Sequence, residues 1–428
     1  MNKMRKLMSL VWLLLIITAC SKGDDDTIKG DPDYLAKDML VASASGKTMF
    51  FLDNHDGTVS ITYDRTNPMH ISKENKYVLT DYVGEITVPS SITVNGNSYL
   101  VTGVTENAFK NNTTLTKVTL PETVTSIEEH AFDNCPALEE VNIPDGVTAI
   151  PPYCFYGCKA LRVLKLPPYL NSIGREAFKS CTKLEGLDIP EGITEITAEM
   201  FKGCSQMTRL TLPSTLTTIG KSAFYGCNQL PSLTIPNGVT ALPDSCLYGC
   251  NRLAELKLPD NLTSVGVHCF RGCSALTALE LPSTLRDISR LAFYGCSRLV
   301  TIQLPEGITE LKDSVFASCG ALIEVILPET LTKLGTGTFA SCRSMFDITL
   351  PASVREIGEK CFFSLDASGN PNWNNLVINV KSETPPTVKG SFVNQTRRRR
   401  VVVPRGYRSV YMETPYWNEF FEVMETNY

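Results

Sequence analysis

Residues 222–230 read SAFYGCNQL, and the five letters AFYGC return at 292–296. Their alanines are 292 − 223 = 69 positions apart, three steps of 23. Cysteine keeps that step at Cys135, Cys158, Cys181, Cys204, Cys227, Cys250, Cys273, Cys296, Cys319 and Cys342, ten of the fifteen in the chain. Phenylalanine keeps it from Phe109 to Phe362 with one departure, Leu247, and proline keeps it from Pro121 to Pro351. One unit reads AFxGCxxLxxLxLPxxLTxIGxx. About twelve copies run from Val104 to Leu365, so the chain is a repeat array.

The unit carries its own structural instructions. In Leu138-Glu-Glu-Val141-Asn-Ile143-Pro144 the alternation places Val141 and Ile143 on one face of a short extended segment. The proline ends it, having no N–H for a further ladder bond. The following LTxIG, as in Leu216 to Gly220, adds two more inward side chains before the chain turns into the next AF. One unit is one coil of a β-rich solenoid. A single coil buries too few side chains to offset the entropy of ordering its backbone, so stability comes from stacking, and the open ends need covers.

Both ends supply covers. Residues 37–103 are expected to form a β-rich N-terminal cap: TMFFL at 48–52 and TVSITY at 58–63 alternate, and Asn95-Gly96 is a hairpin signal between two strand-like runs. Residues 366–428 leave the period and form an irregular C-terminal cap, with NLVINV at 375–380, RRVVVP at 399–404 and YWNEFFEVM at 416–424. The solenoid itself spans 104–365.

With 43% apolar residues, 20% charged and a net charge of −5 over 428 residues, the composition is neither disordered nor basic enough for a nucleic-acid surface. Nucleic acid is therefore not an expected partner. The first residues lie apart from the fold: MNKMRK is a positive start and LMSLVWLLLII an apolar run short for a bilayer span. They form a signal peptide, residues 1–19. Residues 20–36, with SKGDDD just after Cys20, read as a flexible acidic tether.

Three resemblances follow from these residues. LIITAC at 15–20 resembles the bacterial lipoprotein box, which implies that Cys20 is lipidated and becomes the mature N-terminus; Asp24, Asp25 and Asp26 resemble an outer-surface display signal of Gram-negative gut and oral anaerobes. A plain signal peptide with an incidental cysteine, and a merely solvated linker, are the simpler alternatives. LPxxLTxIGxxAFxGCxxLxxL resembles the leucine-rich repeat of BspA-like bacterial surface proteins, and 84–104 and 401–423 resemble the segments that lead into and close that array. The likeness covers about residues 84–428. It implies a 23-residue leucine-rich repeat solenoid, a curved strand face, and a role in surface binding or adhesion, often to host proteins, without enzymatic activity. The expected protein is a lipid-anchored outer-membrane protein, facing outward, that binds an extracellular or host protein; a glycan-capturing lipoprotein is the alternative.

The residues offer little chemistry. The cysteine ladder lies beside the Phe column, where a free thiol serves as a small hydrophobe, although neighbouring coils at about 4.8 Å do not exclude bridges. Cys154, Cys246, Cys269 and Cys361 take the alanine place of AF, a small-residue slot, and are strung along a rod rather than converging as metal ligands do. His130 and His268 share a column six coils apart and cannot meet. No phosphate loop or hydrolase motif occurs, so neither catalysis, cofactor nor metal is expected.

One surface column has a theme. The residue after the buried Phe reads Tyr156, Lys179, Lys202, Tyr225, Tyr248, Arg271 and Tyr294 over seven successive coils. Stacked at the strand spacing these form a ridge of about 29 Å, rich in side chains that interfaces favour. It is the candidate ligand-binding ridge; the alternative is a cover over the Phe column. The outward strand positions, from Lys117 to Asp347, show no theme and are assigned no site. Arg397 to Arg400 are read as guarding a strand edge, with polyanion binding as the alternative.

Overall fold

The computed structural model describes residues 37–44, 46–65, 82–363, 376–393, 399–420 and 422–426. The signal peptide, Cys20 and the acidic tether lie outside them.

Successive coils are joined by three sets of backbone hydrogen bonds. The first comes from the LxLP segment: Gly186–Asp188 and Arg209–Thr211 pair in parallel with Leu187 opposite Leu210, one repeat apart. Both leucines point inward and their neighbours outward, the alternation that a one-sided strand dictates. Proline closes the strand and also opens a turn, since Pro213 O accepts the Leu216 N–H at 3.1 Å.

The second set comes from TxI. Glu195–Ile196 and Thr218–Ile219 are parallel strands with Ile196 opposite Ile219, so each typical coil contributes two strands where the sequence suggested one. Glycine after this strand permits close approach: a Cβ on Gly266 would lie 2.6 Å from the backbone nitrogen of Asp244 in the preceding coil.

The third set joins the AF turns, where the Phe224 N–H donates to Cys246 O at 2.9 Å and the Gly226 N–H to Tyr248 O at 2.8 Å. Turning the peptide groups along the solenoid axis takes two left-handed residues per coil. One is the glycine of AFxGC, Gly226 at φ 73°; the other precedes the AF pair, as Ser222 at φ 55° and Leu291 at φ 59°. The consensus shows the first and hides the second.

The interior is columnar. Phenylalanine rings stack coil upon coil from Phe109 to Phe224 and from Phe293 to Phe362, with centroid spacings of 5.0 to 6.0 Å. Beside them every ladder thiol is buried and free, and each donates to the carbonyl of the aromatic column one coil back, as Cys227 Sγ does to Phe201 O at 3.3 Å. Ten such contacts repeat from Cys135 to Cys342. Other donors stand in at the two ends of the column: Asn112 Nδ2 reaches Tyr82 O at 2.7 Å, and Arg399 Nη1 reaches Phe362 O at 2.7 Å.

At the N-terminal end, antiparallel strands Met39–Ala44, Lys47–Asp53 and Thr58–Thr62 build a small sheet. Thr58–Thr62 pairs in parallel with Asn97–Val104, which in turn pairs with Ser126–Ile127, so the cap sheet runs on into the TxI strands. Asn95 and Gly96, both at positive φ, make the hairpin turn that Asn-Gly promises.

At the other end Val377–Val380, Arg400–Val403 and Glu422–Glu425 extend the first sheet in parallel. Phe392, Tyr411, Trp417 and Phe420 bury the last coil. This corrects the reading of the arginine run. Arg400 sits in a strand paired on both sides and bonds Glu422 at 3.0 Å, and Arg399 points inward, where burial lowers its pKa to about 10. Neither guards an edge; Arg397 and Arg398 lie outside the described residues.

Candidate interaction ridge

Over these seven coils the residue after the buried column is partly exposed, whereas Asp133 and Ala317 at the same position in other coils are buried. All seven members of the candidate ridge are half-buried. They meet in one continuous chain of contacts. Lys179 lies over the Tyr156 ring at 5.6 Å, and Glu199 joins Lys179 at 2.6 Å to Lys202 at 3.1 Å. Lys202 lies over Tyr225 at 5.3 Å, and Tyr225 stacks on Tyr248 with centroids 4.5 Å apart and planes within 10°. The Arg271 guanidinium then contacts two rings, Tyr248 at 5.6 Å and Tyr294 at 4.4 Å.

A second row, absent from the sequence reading, flanks the first. The left-handed residue three positions earlier places its side chain beside the ridge: Tyr153 next to Tyr156, Glu176 bonded to Lys179 at 2.8 Å, Glu199 to Lys202, and His268 Nδ1 3.4 Å from Arg271 Nη1. His130 extends this row by stacking on Tyr153 at 4.7 Å. Only backbone conformation unites these positions, which hold His, Tyr, Glu, Ser and Leu in turn. No residue type signals them.

Electrostatically the ridge has two halves. Around Lys179 burial alone would push the Glu176 and Glu199 carboxyls up, but hydrogen bonds from Arg175 and Lys179 to the first, and from Lys179 and Lys202 to the second, hold both below the usual carboxylate range. Those cations are neutralised. Around Arg271 no carboxylate lies within ion-pairing distance among the described residues, and burial together with Arg271 and Arg290 lowers the His268 pKa. Tyrosine edges and an unpaired guanidinium are what this half presents.

The thiols are chemically quiet by contrast. Burial pushes Cys227, Cys273 and Cys361 up to about 12, so thiolate is scarce at neutral pH. Among the described residues no cluster of His, Cys, Asp or Glu is arranged to hold a metal ion.

A family model described as the BspA type leucine rich repeat region matches the chain over residues 90–208, 171–285 and 266–382. The chain belongs to the BspA-type leucine-rich repeat family. Among solved structures, a leucine-rich repeat protein from Bacteroides ovatus is 25% identical, with 91% of this chain and 98% of that one covered and a TM-score of 0.67. The pneumococcal vaccine antigen PcpA is 16% identical, with 91% and 99% covered and a TM-score of 0.50, and shares the fold. The comparison with curated proteins finds no match. BspA-type repeat proteins are typically surface-associated binding scaffolds, and no helix among the described residues of this one is long and apolar enough to cross a membrane.

Proposed function

We propose that this BspA-type chain is a cell-surface lipoprotein, anchored through Cys20, that binds an extracellular protein through the Tyr156–Tyr294 ridge. One observation carries the choice of surface: Lys202, Tyr225, Tyr248, Arg271 and Tyr294 form a continuous stack of cations and rings over five coils. Such a stack is ordered before any partner arrives, so binding sacrifices little side-chain entropy. Tyrosine and arginine are also the residues in which interface energy concentrates.

The stack bears on the glycan alternative as well. A sugar ring needs an open aromatic face, yet Tyr225 and Tyr248 cover one face each with the other's ring, and Lys202 and Arg271 lie over the two rings. What remains outward is ring edge, phenol hydroxyl and guanidinium, groups suited to the carbonyls and carboxylates of a polypeptide.

The test is a titration of purified protein against immobilised matrix proteins and neutral polysaccharides, repeated with Arg271→Glu. A protein ligand whose association slows with added salt and slows further in the variant supports the proposal. Binding of a neutral polysaccharide alone, indifferent to Arg271, would favour the glycan reading instead.

A further inference from the structure

The strand face carries a second feature, independent of the ridge. In the column just before the first outward strand position, eight coils hold Thr116, Glu139, Arg162, Glu185, Thr208, Pro231, Ala254 and Thr277, polar or small throughout. The next three hold Val300, Ile323 and Phe346, which are 36%, 38% and 58% exposed. The Ile323 N–H donates to Val300 O at 2.9 Å, which sets those two side chains side by side. Ile326 joins them, 48% exposed on the same groove wall as Ile323 and Phe346. Val163 is exposed on this face too, but singly; exposed aliphatic and aromatic side chains that adjoin one another mark an interaction site rather than the scattered apolar exposure of any surface.

Unpaired carboxylates also gather beside this strip. In several earlier coils an outward carboxylate is neutralised by the neighbouring coil, as Glu140 is by Lys117 at 2.9 Å, Glu185 by Arg162 at 3.3 Å and Asp188 by Arg209. Glu280, Glu306 and Glu324 line one groove with Ile326, and none of the three has an ion pair among the described residues. Glu324 and Ile326 also line the adjoining groove, which holds Ile323 and Phe346. Lys381, which lines that groove, is engaged by Glu329 at 2.6 Å, and Lys257, one repeat before Glu280, forms no ion pair with it among the described residues. The two grooves therefore share Glu324 and Ile326, one adding Glu280 and Glu306 and the other Ile323 and Phe346.

We propose that this trough is a docking site for a polypeptide segment in which apolar side chains alternate with or adjoin Lys or Arg. The apolar strip supplies burial, and the three carboxylates supply the charge complement that fixes register and disfavours acidic sequences.

Randomised twelve-residue peptides displayed on phage, selected on the wild-type protein and counter-selected on Ile323→Thr with Phe346→Ser, test it. The expected outcome is enrichment of sequences that combine apolar residues with Lys or Arg. A synthetic peptide from that pool should then bind Glu280→Gln with Glu324→Gln at least about tenfold more weakly, with a shallower salt dependence. Both double variants alter exposed side chains, and unchanged thermal melts confirm that the fold is retained. Failure to enrich any sequence, enrichment of acidic ones, or equal binding by the Gln variant would each overturn the proposal. So would ultracentrifugation showing self-association that Phe346→Ser abolishes, which would assign the surface to a second copy of the chain.

Discussion

Cys227 Sγ lies 3.3 Å from the carbonyl oxygen of Phe201 in the preceding coil, and the same contact recurs for every ladder cysteine. The thiol is thus both filler and donor: small enough for the slot beside the ring column, and able to give a weak hydrogen bond to a carbonyl facing it. A bridge between neighbouring thiols would take both out of this arrangement.

Fourteen cysteines, all of those among the described residues, should therefore titrate as free thiols once the protein is denatured without reductant, and resist alkylation while it is folded. Cys227→Ala should destabilise by about 1–3 kcal/mol through the small cavity and the lost donor. Blocked thiols in the denatured sample would show that the column is cross-linked.

Leu291 sits in the left-handed region at φ 59°, where a bulky side chain is strained. Its N–H bond to Asp313 O does not depend on the side chain. Leu291→Asn should stabilise by about 0.5–1 kcal/mol, and Leu291→Val should destabilise, both measured by chemical denaturation. A loss of stability in the Asn variant would mean that the contacts of the leucine outweigh its strain.

The carboxylates that bridge the ridge lysines give a pH signature. Glu176 and Glu199 are held below their usual range, so their contribution is complete above about pH 4.3, the ordinary Glu value, and fades as pH falls through the folded-state values. Glu176→Gln with Glu199→Gln should melt below wild type at pH 7, and the gap should narrow as pH falls through the folded-state values of the two carboxyls. A constant gap between them would place the effect in packing rather than charge.

The proposed anchoring rests on Cys20, which lies outside the described residues. Metabolic labelling with a tagged fatty acid should mark the wild-type protein in its host membrane and leave Cys20→Ala unlabelled and released. Undiminished labelling and retention of the variant would remove Cys20 from the account.

How far the sequence could be read differs by level. The coil was legible because Cys, Phe and Pro each recur at 23 residues, and a column of one residue type is a direct image of stacking. The TxI strand was not: two residues such as Thr218–Ile219 are too short to show an alternation. The second left-handed position was hidden because its constraint acts on φ, and Tyr153, Ser222 and Leu291 all satisfy it. Arg399 was misread as surface because a run of four cations looks exposed, whereas its guanidinium fills the donor role for the carbonyl of Phe362. The seven ridge residues were found as a column. Their linkage through Glu199, and the pairing of Tyr225 with Tyr248, depend on side-chain direction along the axis and came only with the structure.

The central claim is that the stacked ridge carries binding, and the affinity of a captured protein ligand for Tyr225→Ala with Tyr248→Ala tests it most directly. With thermal melts showing an intact solenoid, the account predicts a loss on the order of 2 kcal/mol or more, about thirtyfold in Kd, because removing both rings deletes the centre of the stack. An unchanged Kd would contradict it and leave the ridge as a cover for the phenylalanine column beneath.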